Sequence, residues 1–443
     1  MATATFQGEL LRPGDDGYDA ARAVWNGAID RRPAVIARCT SAADVAAAIR
    51  MAREHELPLA VRGGGHSVAG LSVCEEGLVV DLSPLKAIAV DPAKRTARAG
   101  AGVLWGELDA ATQAHGLATV GGIVTHTGIA GLTLGGGIGW LMRRHGATVD
   151  NLLGAELVTV DGRTLRAAED PELFWALRGG GANLGVVTAF AYRLHKVGTV
   201  HAGPLYFALE DAPEVLRRYR DYAAAAPDEL TTILNLRQAP PLPLVPEHLH
   251  GRPVLQVGVC HTGTEAALAP LRELGRPLLD AVAPRPYTQL QGMFDPTVPH
   301  GWHYHWRTCE LPPLTDAAID ALCEHAGRIT SPRSYIIVFQ LGGEMARHHD
   351  TAFVQREAAH NVNVNAVWLP GDPDAGRHRR WADDAYAALA PHGHGRGAYV
   401  NFLSDEPLDR ARAAYGPAYE RLRAVKRAYD PENVLRLNHN VEP

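Results

Sequence analysis

The chain has 443 residues, 46% apolar and 21% charged, the balance of a globular protein large enough for more than one hydrophobic core. A formal charge of −6 without a Lys/Arg block gives no electrostatic case for nucleic acid, and no apolar run approaches the ~20 residues that span a bilayer. Met1–Asp16 lacks a charged-then-apolar leader pattern, and Cys39, Cys74, Cys260, Cys309 and Cys323 have neither paired nor zinc-finger spacing, which points to a cytoplasmic protein with inert thiols.

The first 200 residues read as alternating strand and helix. Ala34–Cys39 is an apolar strand, and Ser41-Ala-Ala-Asp44 opens a helix in the manner of a capping box; it carries Val45, Ile49 and Ala52 on one face and ends near Glu56. Leu59–Arg62 is a short strand that runs into Gly63-Gly64-Gly65-His66-Ser67-Val68-Ala69-Gly70. Gly77–Leu82 and Ala87–Val90 are further strands, and Leu104–His115 is a helix closed by Gly116. Eight glycines between Gly121 and Gly139 describe a loop wrapped around a ligand, because glycine weakens the interior of any regular element. Leu157–Val160 reads as a strand, and Arg178-Gly179-Gly180-Gly181-Ala182-Asn183-Leu184-Gly185-Val186-Val187 as a third glycine-rich turn feeding another. Three such segments in one half of the chain suit a long anionic ligand bound mainly through backbone N–H groups. A Rossmann site is the rival reading, but no G-x-G-x-x-G follows the first strand with an acidic residue about twenty positions on.

Beyond residue 200, strands at Leu205–Leu209, Leu230–Leu236, Val254–Cys260, His303–Cys309, Tyr335–Leu341 and Asn361–Trp368 alternate with helices near 212–225, 264–279, 315–329 and 376–390. Several strands alternate with period two, as in an antiparallel sheet with one covered and one polar face. In Asn361–Trp368 this period sets Asn361, Asn363 and Asn365 on one side and Val362, Val364, Ala366 and Trp368 on the other. Asparagine is poor in strands, so the amide row is either a polar cavity floor or a solvent-exposed face. His303, Tyr304, His305, Trp306 and Glu344 are further pocket candidates. The close pairs His303/His305, His348/His349 and His392/His394 come with no third ligand at metal spacing, and no metal is expected. The tail holds a strand at Ala398–Phe402 and a helix over Ala411–Tyr429.

The run Arg62-Gly63-Gly64-Gly65-His66-Ser67-Val68-Ala69-Gly70 closely resembles the flavin-attachment motif of the berberine-bridge-enzyme-like, vanillyl-alcohol-oxidase-type (PCMH-type) FAD oxidases. Gly121–Gly131, Gly135–Gly139, Arg178–Thr188, Tyr399-Val400-Asn401, Tyr429–Asn433 and Arg436–Asn440 resemble further family segments, in order, over nearly the whole chain.

The resemblance implies an α+β protein: an FAD-binding domain built from both chain ends (1–198 and 397–443) around an inserted substrate domain (199–396) of antiparallel sheet covered by helices. It implies FAD bonded covalently to His66, with Arg62, Gly63, Gly64, Gly65, Ser67, Gly70, Gly122, Thr127, Gly128, Gly131, Gly135, Gly137, Val186, Asn401 and Asn438 contributing to the cofactor site. Many members carry a second, cysteine linkage; Val124 stands at that place, implying attachment through His66 alone and a site less suited to a bulky glycan. Tyr399 is implied as the base, its pKa brought from about 10 toward 7 by a nearby Arg, Lys or second Tyr. Tyr304, Asn363 and Asn365 would face the substrate.

The activity expected is hydride transfer from a small secondary-metabolite or sugar-derived alcohol to flavin, reoxidised by dioxygen to give hydrogen peroxide. Thr127, short at a position that governs oxygen access in the family, fits an oxidase. Amine oxidation of the hydroxynicotine-oxidase type, oxidative cyclisation and a flavin-binding protein without turnover are the alternatives. No nucleic-acid or membrane partner is expected.

Overall fold

The computed structural model describes residues 6–393, 397–404, 406 and 408–443; His394 and residue 396, where the middle segment was expected to end, lie outside that set. Two sheets are built by the first 193 residues. In the first, Glu9–Leu11, Val35–Arg38, Leu78–Asp81 and Leu59–Arg62 lie side by side in that order, the last three parallel. The second is antiparallel, in the order Ile88–Asp91, Thr96–Gly100, Val186–Arg193, Leu152–Val158, Thr164–Arg166. Their inner faces and the helix Ala42–Glu54 share one core, and Tyr415, Tyr419, Leu422 and Val425 of the tail pack into the same core. Both ends of the chain therefore close a single apolar interior.

The third sheet is antiparallel throughout. Its order is Leu279–Asp280, Thr199–Ala208, Pro253–His261, Leu230–Gln238, Tyr335–Gln340, His360–Trp368, His303–Leu311, with Ala283–Pro286 also on Thr199–Ala208. The helices Ala212–Ala224, Asp316–Gly327 and Ala375–Leu389 cover one face, where Ile336, Val338, Val362, Val364, Ala366 and Trp368 are buried. The opposite face is also buried: Tyr335, Ile337 and Phe339 join a separate core with Trp25, Trp140, Met142 and Tyr399. The amide row thus faces the interior, and the solvent-exposed alternative is excluded, since Asn361, Asn363 and Asn365 are each 1% exposed.

Several expected elements differ. The helix near 264–279 shrinks to Glu265–Leu268 and Ala269–Arg272, because Gly275 and Pro277 lie in the remaining stretch. Ala411–Tyr429 divides into Leu408–Tyr415 and Tyr419–Tyr429 at Gly416-Pro417. The strand expected at Ala398–Phe402 is a single 3₁₀ turn, Val400–Phe402. The glycine-rich Gly121–Gly139 segment contains a short helix, Ile129–Leu134. Ser41 Oγ accepts from Asp44 N as a cap should, but the Asp44 carboxylate accepts from Gln7 N and Thr40 N. All five cysteines are free, and burial pushes Cys74 and Cys323 up to about 11 and Cys260 and Cys309 up to about 12. Among the described residues no helix is long and apolar enough to cross a membrane.

Candidate active site

The strand Leu59–Arg62 delivers the glycine loop in a fixed pose. Its parallel register places Arg62 opposite Asp81, and the two make a two-pronged ion pair in which Arg62 Nη2 and Nε donate to Asp81 at 2.8 and 3.3 Å. Both side chains are buried, and Arg62 Nη1 also donates to the carbonyl oxygens of Ala21 and Ala23. Such a fork locks the strand end in two dimensions. The main chain then passes against the second glycine segment so closely that a Cβ on Gly64 would lie 2.5 Å from Gly128 N. Only glycine on both sides permits that approach.

His66 follows, its ring stacked on Trp25 at 4.3 Å between centroids, with Nε2 3.1 Å from His126 Nδ1. Burial, and next the His126 and His300 rings, hold its pKa well below the usual imidazole value, so the ring is neutral at pH 7. Trp25 is itself fixed: its Nε1 donates to Val298 O at 2.9 Å, and Tyr304 stacks on its other side at 3.7 Å.

The loop opens on a cavity of about 300 Å³. One wall is main chain and small residues: Gly63, Gly64, Gly65, Ser67, Gly122, Thr127, Gly128, Gly131, Gly135 and Val186, with Asn438 and His439 of the tail. The other is side chains from the third sheet and its neighbours: Trp306, Tyr335, Ile337, Phe339, Asn363, Asn365, Tyr399 and Phe402. Among the described lining residues none is Asp, Glu, Lys or Arg. A long cradle of backbone ending at a neutral imidazole fits an elongated, phosphate-bearing cofactor such as FAD, which needs N–H donors and close approach more than side-chain charge.

Tyr399 lies where the walls meet. Its oxygen accepts from Gly137 N at 2.9 Å and from Asn401 Nδ2 at 2.8 Å. Gly137 has φ +86°, a conformation that aims its N–H at the phenol and that other residues rarely adopt. Despite these donors, desolvation pushes Tyr399 up to about 12, opposite to the shift expected from the sequence. Among the described residues, the Arg, Lys or second Tyr foreseen as its partner does not contact it. The cause is physical: no described residue lining the cavity carries a charged side chain, so burial favours the neutral phenol.

Arg62, Gly70, Gly137 and Tyr304 stand behind the lining rather than in it. Gly70, at φ +68°, accepts from Arg31, and Tyr304 donates through its hydroxyl to Pro299 O at 2.6 Å. Glu344 lies away from the cavity, paired with Arg347 and His349. In the amide row, Asn365 Nδ2 donates to Asn363 O at 2.7 Å and Asn361 Nδ2 to Thr308 Oγ1 at 3.3 Å. Asn363 Oδ1 and Trp306 Nε1 are buried without a hydrogen-bond partner among the described residues, an acceptor and a donor on the same wall. Trp25, Tyr335, Phe339 and Phe402 escaped sequence reasoning as site residues. The alternation of Tyr335, Ile337 and Phe339 could have disclosed two of them; Trp25 precedes every motif and gave no signal.

An FAD-binding domain family matches residues 33–168, and a berberine and berberine-like family matches residues 398–442. The (R)-6-hydroxynicotine oxidase of Paenarthrobacter nicotinovorans is 32% identical over 99% of this chain and 97% of its own. Among solved structures, 6-hydroxy-D-nicotine oxidase from Arthrobacter nicotinovorans superposes with a TM-score of 0.89 at 32% identity, covering all of both chains. The berberine-bridge-enzyme-like protein 1 of Physcomitrella patens gives 0.83 at 25% identity, over 98% of this chain and 96% of that one.

Proposed function

The chain belongs to the berberine-bridge-enzyme-like family of FAD-linked oxidoreductases, and from that premise we propose that it is an oxidase of a small neutral alcohol, with FAD bonded to His66. The observation that carries the substrate class is the absence of any charged side chain among the described lining residues. An ammonium or carboxylate entering such a site would lose its hydration with no counter-charge, a cost of several kcal/mol. A neutral hydroxyl loses little, because Trp306 Nε1 can donate to its oxygen while its O–H is left for Tyr399, and Asn363 Oδ1 can accept from a further O–H or N–H of the same substrate. The aromatic walls suit a flat apolar body of the secondary-metabolite kind. Residues 1–198 and 397–443 form the cofactor-binding part in this reading, and 199–396 the substrate-binding part.

Bound FAD would supply a hydride acceptor at N5 and return the electrons to dioxygen, giving hydrogen peroxide. The wall of Trp306, Tyr335 and Asn363 holds the alcohol's carbon toward the cofactor side, and exclusion of water comes from Phe339 and Phe402. In its deprotonated form Tyr399 takes the hydroxyl proton as hydride leaves; Gly137 N–H and Asn401 Nδ2–H donate to its oxygen and so stabilise the phenolate before the transfer.

A second reading rests on the relatives named for 6-hydroxynicotine: oxidation at a carbon–nitrogen bond of an amine that binds uncharged. Anaerobic mixing separates the two. The purified yellow protein should bleach with neutral alcohols and regain its colour in air with release of peroxide. Bleaching by amines alone would replace the first reading with the second.

A further inference from the structure

At the His66 end of the cavity three histidines cluster, with ring centroids 5.0 Å apart for His66–His126 and His126–His300 and 6.2 Å apart for His66–His300. His66 Nε2 is 3.1 Å from His126 Nδ1, and the His126 ring is 5.0 Å from that of His300, which is exposed. His126 is held by its neighbour: Asp295 accepts from Thr125 N at 2.9 Å and from Thr125 Oγ1. His126 Nε2 is buried with no hydrogen-bond partner among the described residues, an expensive condition for an imidazole nitrogen unless it has a use. Neither His126 nor His300 lines the cavity, so the mechanism above uses neither.

Resting on the reading that His66 carries the flavin, we propose that His126 is the positioning residue for that attachment: it engages Nε2 of His66, leaves Nδ1 as the bonding atom, and leads the released proton through His300 to solvent. A neutral imidazole has one lone pair. With its proton on Nε2 and donated to His126 Nδ1, His66 presents that lone pair at Nδ1. Nδ1 forms a bond to the 8α-methyl carbon while one C–H bond of that methyl breaks. The C–H electron pair reduces the ring system, and dioxygen removes it afterwards. Alkylated His66 would hold a positive charge in a site where burial disfavours it, so its Nε2 proton passes to His126 Nδ1 and the Nε2 proton of His126 leaves toward His300. Both protons, from the methyl group and from His66, are balanced by the hydrogen peroxide formed. Burial also holds His126 and His300 below the usual imidazole pKa, which keeps both rings able to accept a proton at pH 7.

The test uses full-length apoprotein made under riboflavin limitation and supplied with FAD, following flavin fluorescence that survives denaturation. NMR of the flavin peptide from wild-type protein should show the Nδ1 linkage; an Nε2 linkage overturns the proposal without any variant. His126→Ala should still capture FAD but attach it on the order of 100-fold more slowly, the usual worth of a positioned acid–base group, with partial rescue by added imidazole. His126→Asn, able to accept from Nε2 but not to pass a proton on, should keep the Nδ1 linkage and remain slow. His300→Ala should slow attachment less. Attachment at the wild-type rate in both His126 variants refutes the cluster's role while leaving His66 as the anchor. Wild-type protein that binds FAD and releases all of it on denaturation refutes the anchor itself, and this proposal with it.

Discussion

The two walls of the cavity are made of different material. The wall assigned to the cofactor is main chain pressed together at Gly64 and Gly128, with Gly135 against the Asn401 amide and one imidazole at its end; the wall assigned to the substrate is mainly side chains from the third sheet, aromatic and amide by turns. Backbone offers the same N–H groups whatever the residue, so the first wall constrains sequence toward glycine and little else. The second wall offers only what its side chains carry, so its chemistry can change one position at a time. On the proposed assignment, cofactor and substrate recognition are written in separate parts of this chain and should fail separately.

The sharpest way to break that division is at His66. His66→Ala should abolish denaturation-resistant flavin fluorescence while dissociable FAD still binds through the glycine cradle; a protein that keeps its linked flavin would require another anchor. Next in size is Tyr399→Phe, which should lower kcat/KM by about 10²–10⁴-fold with FAD content unchanged. The sign of the pH dependence follows from its raised pKa: a base must be deprotonated, so with Tyr399 pushed up to about 12 the wild-type kcat/KM should climb steadily from pH 7 to 10 and the Phe variant should stay flat. A wild-type plateau near pH 7 would show that Tyr399 is not the base.

Gly64→Ala tests the cofactor wall. Its Cβ would meet Gly128 N at 2.5 Å, and because the obstacle is backbone the loops must separate, at a cost of about 1–3 kcal/mol, read as a lower melting temperature and poor FAD loading. The smallest effect belongs to the substrate wall. Asn363→Leu should raise KM for a neutral alcohol about tenfold, the worth of one hydrogen bond to a buried amide, with FAD loading and colour unaltered. If Asn363→Leu emptied the cofactor site, or Gly64→Ala altered substrate choice, the two walls would not be separable.

Sequence reading reached the two walls unequally, for the same reason. The glycine clusters and His66 were visible because a backbone cradle leaves a local signature in the run of residues that forms it. The amide row showed itself through strict alternation in Asn361–Trp368, yet its direction could not be read, since period two separates two faces without saying which is buried. Trp25 became a site residue only through Val298 and Tyr304, more than 270 positions away in the chain, whose contacts fix its ring beside His66. The pKa of Tyr399 was anticipated in the wrong direction because it depends on what charges do not come near, and an absence of neighbours has no local trace.

What the amino-acid order determined by itself was therefore the periodic and the local: most strands, most helices and three glycine loops, one of them ending in His66. Tertiary structure alone decided that the amide row faces inward, that the described residues lining the cavity carry no charged side chain and that His66, His126 and His300 cluster. Periodicity and turn chemistry act over a few residues, whereas burial and electrostatics sum over everything within several ångströms in space, and only the packed chain fixes which residues those are.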